Sequence, residues 1–196
     1  MDPQETTTTR RRRRGVLGLL LAMSATATLG AGALSLATFT STDAVGGNLF
    51  SAGTIVLGAS PSSAVLSAGA LMPGDTVSGS LVVSDTGTAQ LRYAMTSAST
   101  DADGLGLRDQ LILTVRTLGT SCAAFDGTVL STGPIGSAAF GDPATGAQAG
   151  DRTLDAASSE TLCFRAALPF GTGDAYQGAT TTTTFTFDAE QTANNP

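Results

Sequence analysis

Thr76-Val77-Ser78-Gly79-Ser80-Leu81-Val82-Val83-Ser84-Asp85-Thr86-Gly87-Thr88-Ala89-Gln90-Leu91-Arg92-Tyr93-Ala94-Met95-Thr96 is the stretch that decides the fold. Val77, Leu81 and Val83 alternate with Thr76, Ser78, Ser80 and Val82, and Leu91, Tyr93 and Met95 alternate with Arg92, Ala94 and Thr96. A period of two puts each apolar set on one face of an extended strand, with a polar face opposite. Asp85-Thr86-Gly87 between the two runs predicts a hairpin with a bulge.

The same pattern recurs outward from this stretch. Leu111-Ile112-Leu113-Thr114-Val115 is more continuously apolar, as a central strand would be. Leu162, Phe164, Ala166 and Leu168 alternate with Cys163, Arg165 and Ala167, and Phe185 and Phe187 alternate with a threonine face that includes residues 180–184. Weaker strand candidates cover residues 38–44, 54–59, 64–68 and 128–131. Met72-Pro73-Gly74-Asp75 places Pro and Gly where a type II turn needs them. Residues 132–159, rich in Gly, Ala, Ser and Asp, read as a long, partly mobile connection. No helical periodicity survives beyond the N-terminal segment. About eight or nine short strands, each with one apolar face, must cover those faces by packing two sheets together, so the fold class is an all-β antiparallel sandwich.

The N-terminal segment has a different character. Five arginines, Arg10 to Arg14, precede a charge-free run over residues 15–37. A basic n-region (residues 1–14) before an apolar region (15–37) is the layout of a helical signal peptide. Ser35-Leu36-Ala37 sets small residues before a cut between Ala37 and Thr38, leaving residues 38–196 as a secreted domain. Left uncut, the apolar run would be the chain's one attachment to a membrane.

Composition narrows the function. The chain has no histidine and no lysine. Beyond residue 37, five arginines (Arg92, Arg108, Arg116, Arg152, Arg165) face fourteen carboxylates. A net charge of about −9 repels nucleic acid and anionic lipid, so neither is an expected partner. Cys122 and Cys163 both lie in the exported part, where a pair of cysteines is most simply one disulfide. Without histidine there is no Ser-His-Asp triad, no Cys-His dyad and no imidazole for zinc, and without lysine no Schiff base. The chain is not expected to be an enzyme. One loop has metal-binding spacing: Asp101-Ala102-Asp103-Gly104-Leu105-Gly106-Leu107-Arg108-Asp109. Asp101, Asp103 and Asp109 are candidate calcium ligands, because alternate oxygens and bend-permitting glycines are how acidic loops wrap that ion. Leu105 stands where a third acid would be, and a solvated inter-strand turn is the competing reading. No other cofactor is expected.

Several segments together resemble the TasA/camelysin family of exported proteins. Thr38-Phe39-Thr40-Ser41-Thr42-Asp43 resembles that family's A-x-F-S/T-D opening, and Asn48-Leu49-Phe50-Ser51-Ala52-Gly53-Thr54-Ile55-Val56-Leu57 its N-x-F-x-A-G-T strand. Leu71-Met72-Pro73-Gly74-Asp75 is similar to its L-x-P-G-D turn, and Ser84-Asp85-Thr86-Gly87-Thr88-Ala89-Gln90-Leu91 to its N-x-G-T-A-x-L hairpin. Tyr176-Gln177-Gly178 and Phe185-Thr186-Phe187-Asp188-Ala189-Glu190-Gln191 resemble its Y-Q-G and F-x-F-x-A-x-Q segments.

The resemblance implies a jelly-roll sandwich, a SipW-type signal peptidase as partner during export, and a secreted protein of the cell surface or biofilm matrix that self-associates into fibres. Residues 38–50 are the expected strand donor between copies. A camelysin-like metalloendopeptidase is the first alternative, opposed by the missing histidines. A monomeric calcium-dependent surface adhesin is the second. No C-terminal L-P-x-T-G signal is present, so attachment after cleavage is expected to be non-covalent or absent.

Overall fold

The computed structural model describes residues 51–195. The leader, the Ala37–Thr38 bond and the candidate strand over 38–44 lie outside them. Among the described residues nine strands form, every pair antiparallel: β1 Leu57–Ser60, β2 Thr76–Asp85, β3 Leu91–Ser99, β4 Ile112–Thr117, β5 Val129–Pro134, β6 Ala139–Phe140, β7 Arg152–Leu154, β8 Ser159–Ala167 and β9 Thr183–Gln191. One sheet runs β1-β2-β8-β4-β5. In the other β3 is central, with β9 along one side and the short β6 and β7 along the other. The protein is an all-β antiparallel sandwich, as the alternation predicted.

The core lies between the sheets. Leu81 and Val83 of β2, Leu113 and Val115 of β4, and Leu162 and Phe164 of β8 pack against Leu91, Tyr93 and Met95 of β3. Each such side chain contributes about 1.5–3 kcal/mol by leaving water. The apolar phases read from the sequence are therefore the buried faces.

The partner of β2 differs from the expectation. The turn after Asp85 makes no hairpin, because both sides of β2 are already taken: β1 pairs with Val82 to Asp85, and β8 runs along the full strand. The chain crosses to the other sheet instead. Asp85 is 1% exposed, and its Oδ1 accepts the Gly87 N–H at 2.7 Å and the Val56 N–H at 3.4 Å. This binds the crossing turn to the segment that leads into β1.

Other parts of the chain also differ from expectation. The candidate strand over 64–68 is irregular, and a one-turn helix, α1 (Leu107–Gln110), sits in the acidic loop. The supposed mobile connection over 132–159 supplies the end of β5, then β6 and β7. Its residues 141–151 also cover the outer face of β3, where Gly141 lies against Ala94. Arg92 and Ala94, on the face of β3 opposite its apolar set, are buried as well, at 7% and 2% exposure. Cys122 and Cys163 form the expected disulfide, with Cα atoms 5.1 Å apart.

Candidate functional site

β9 is the exposed edge of the smaller sheet: among the described residues it pairs with β3 alone. An antiparallel strand directs every second N–H and C=O to each side, so half of β9's backbone groups face away from β3, and no other strand among the described residues pairs with them. Beside this edge lies an open groove of about 620 Å³, with Val77, Leu81, Phe185 and Phe187 among its apolar lining. Phe185 packs on Phe164 with ring centroids 5.1 Å apart, and Phe187 on Tyr93 at 6.2 Å. The aromatic wall is thus part of the core. A second groove of about 630 Å³, bordered by Met72, Leu107, Leu168 and Tyr176, shares Ala68, Leu71, Leu111 and Thr181 with the first.

The groove's other wall is the irregular segment 61–71. Among the described residues it makes no backbone hydrogen bond to either sheet. It crosses the inner face of β2 at Gly79, where a Cβ would stand 2.1 Å from the Val65 carbonyl oxygen. Only glycine admits this approach. Replacing Gly79 by valine is expected to push the segment off β2, destabilise the fold by about 1–3 kcal/mol and widen the groove. Chemical denaturation and binding of an apolar dye would check both effects, and an unchanged melt with unchanged dye binding would show that the segment does not rest on Gly79.

The interior also holds an unanticipated polar clasp. Glu160 of β8, in the larger sheet, accepts from the Tyr93 hydroxyl of β3 at 2.7 Å and from Arg152 Nε of β7 at 2.8 Å, both in the smaller sheet. Arg152 Nη2 completes a two-point ion pair with the same carboxylate. Burial, with the Glu160 hydrogen bond second, pushes the Tyr93 phenol far above its usual value. The bond to Glu160 holds Arg152 charged. On the covered face of β3, Arg92 Nε donates to Glu190 Oε1 at 2.6 Å, and Arg92 also bonds the Asn195 carbonyl.

Three carboxyls are held below their ordinary values: Asp103 by the backbone N–H of Leu105, then that of Thr180; Asp126 by the Thr120 side chain; and Glu190 by Arg92. A lowered folded-state value gives stability that is full above the unfolded pKa, about 4, and is lost as pH falls through the folded value. Tyr93 acts in the opposite direction: its contribution is full below the unfolded value of about 10 and is lost as pH rises further. The melting temperature is expected to stay level between these limits and to fall below about pH 4 and above about pH 10. A melting series across pH checks this, and a melt that holds at pH 3 would remove the carboxylate part.

The candidate calcium ligands do not converge. Asp101 Oδ1 accepts the Gly106 N–H at 2.8 Å, and Asp103 accepts Leu105 N–H at 3.1 Å and Thr180 N–H at 2.6 Å. Asp109 turns to Arg108 at 3.8 Å. Among the described residues no three acidic or sulfur side chains gather as a metal site. The carboxylates instead brace the loop against the start of β9. Cys122 and Cys163 are spent on the cross-link, and a disulfide persists in oxidising compartments. The β9 edge, the Gly79 contact and the Glu160 clasp escaped the sequence reading. Gly79, the glycine on an inward phase of β2, was the one visible sign. No protein-family model matches this chain, and no curated protein matches it either.

Proposed function

We propose that the chain is a secreted, non-enzymatic structural protein of the cell surface or extracellular matrix that assembles into fibres by donor-strand exchange. In this reading residues 38–50, freed by cleavage after Ala37, add as a strand to β9 of the next copy. The observation that carries the reading is the one-sided pairing of β9, among the described residues, beside an open groove with Val77, Leu81, Phe185 and Phe187 in its lining. Main-chain bonds to the open edge would supply affinity, while alternate side chains such as Phe39 and Val45 would enter the groove. Such a contact is head to tail, so it repeats without closing and builds a filament. The motif order shared with the TasA/camelysin family and the presence of a disulfide both suit an exported building block.

The test is deletion of residues 38–50. Electron microscopy should show the filaments gone, while circular dichroism and the melting temperature of the domain stay as they were. Filaments of normal appearance from the deleted protein would refute the reading.

A further inference from the structure

Arg92 pairs with Glu190, Arg152 with Glu160, and Arg108 with Asp101 and Asp109. Among the described residues Arg116 and Arg165 alone have no carboxylate partner. They are not scattered. Arg116 lies beside Cys163 and Arg165 beside Thr114 in the β4–β8 ladder, so the two are diagonal neighbours on the outer face of the larger sheet. Their guanidinium carbons sit 5.0 and 3.9 Å from the centroid of one ring, Phe125.

This arrangement is built rather than incidental. Phe125 is carried on a loop bound to the sheet by the Cys122–Cys163 disulfide and closed by Asp126 accepting the Thr120 N–H at 2.9 Å. Gly127 sits so close to β4 that a Cβ there would be 1.8 Å from the Thr117 carbonyl. The ring is presented from a left-handed backbone, φ 53°, which disfavours a bulky side chain. Cation–π contact occupies the flat faces of a guanidinium and leaves its N–H edge for a carboxylate in the same plane. Arg165 uses Nε on Ser78 at 3.1 Å, and Arg116 uses Nη1 on the Gly127 carbonyl at 3.0 Å. Among the described residues Arg116 Nε is buried with no partner. Like charges placed side by side on a sheet repel, so the pair calls for an anion.

We propose that the Arg116–Arg165 face is a carboxylate-binding contact whose occupant is the acidic surface of a second copy of this chain. Charge complementarity selects that occupant: Asp142, Asp155, Asp174 and Asp188 are exposed, and none pairs with an arginine among the described residues. The contact is independent of strand exchange at β9 and would join copies side by side or end to end whether or not that exchange occurs.

The test uses two differently tagged copies of the full chain, kept dispersed in mild detergent and captured one by the other at about 20 mM and about 0.5 M NaCl, where the screening length falls severalfold. Capture should be strong at low salt and lost at high salt. The Arg116→Gln/Arg165→Gln variant should recover roughly tenfold less partner at low salt at a temperature where its melting curve shows it fully folded. Should that variant not fold, polyglutamate added to the unaltered protein should release captured partner. Salt-independent capture, undiminished capture by the folded variant, or polyglutamate without effect would each overturn the proposal. Binding of polyglutamate by a chain that never pairs with itself would also overturn it, by assigning the site to a different carboxylate source.

Discussion

Replacing Glu160 with alanine is expected to lower the unfolding free energy by about 3–5 kcal/mol, the range for removing one member of a largely buried ion pair. The expectation follows from where the carboxylate stands. Glu160 occupies an inward phase of β8, facing Val83 across the β2 ladder, and it takes the Tyr93 hydroxyl and Arg152 from the opposite sheet. Its removal leaves a guanidinium that is only 26% exposed without its counter-ion, and a buried phenol without its acceptor. The penalty is desolvation without compensation, which exceeds the net value of the bonds themselves. A double-mutant cycle with Arg152→Ala separates the two. The Arg152 change should be much less harmful once Glu160 is gone, with a coupling of about 1–3 kcal/mol. Denaturant melts measure all three variants. Strict additivity would mean that the two sheets are held together by apolar packing alone. Glu160→Gln, which keeps an acceptor for Tyr93, should fall between the alanine variant and the wild type.

What could be read in advance, and what could not, follows from how local each signal is. A strand's buried phase is written in its own residues, so Leu91, Tyr93 and Met95, or Leu162, Phe164 and Ala166, were legible directly. A strand's neighbour is not written there. β2 and β3 are consecutive and both alternate, yet they lie in different sheets, because β1 and β8 occupy both edges of β2. The burial of the outer face of β3 is not written in the strand for a related reason: Arg92 and Ala94 are covered by residues brought from more than forty positions downstream. Alternation marks an inner face but says nothing about a loop folded over the outer one.

The charged constellations were the least legible. Five arginines and two relevant glutamates were visible as types, but their pairing depends on cross-sheet geometry that no spacing encodes. The acidic loop shows the same limit: its spacing was legible, but not that Asp101 and Asp103 accept backbone N–H groups of the loop itself. The cysteine pair was legible because counting alone almost determines it: there were two, and both lay beyond residue 37.

Converting Cys122 and Cys163 together to alanine should lower the unfolding free energy by about 4 kcal/mol, and the melting temperature by roughly 10 °C. The loop closed by the bond spans 41 residues, from the outer face of β8 back through β7, β6 and β5. Without the bond the unfolded chain regains the freedom to separate its ends, which is the larger part of the effect in the chain-entropy view. Alanine rather than serine is the informative replacement, because Cys163 is 1% exposed and a hydroxyl there would add an unpaired polar group. A second consequence follows locally. Phe125 sits three residues from Cys122 in a left-handed conformation that costs about 1 kcal/mol or more, and the cross-link is one of the contacts that keep it there. Freed from it, the ring should leave the two guanidiniums, and their field would then meet solvent rather than an aromatic face. The double-alanine protein should therefore lose salt-sensitive pairing between copies at temperatures well below its own melt, while keeping β9 and its groove intact. Reduction of the wild-type bond should reproduce both effects. A reduced protein that melts within about 2 °C of the oxidised one would show that apolar packing, not the cross-link, holds the loop on the sheet.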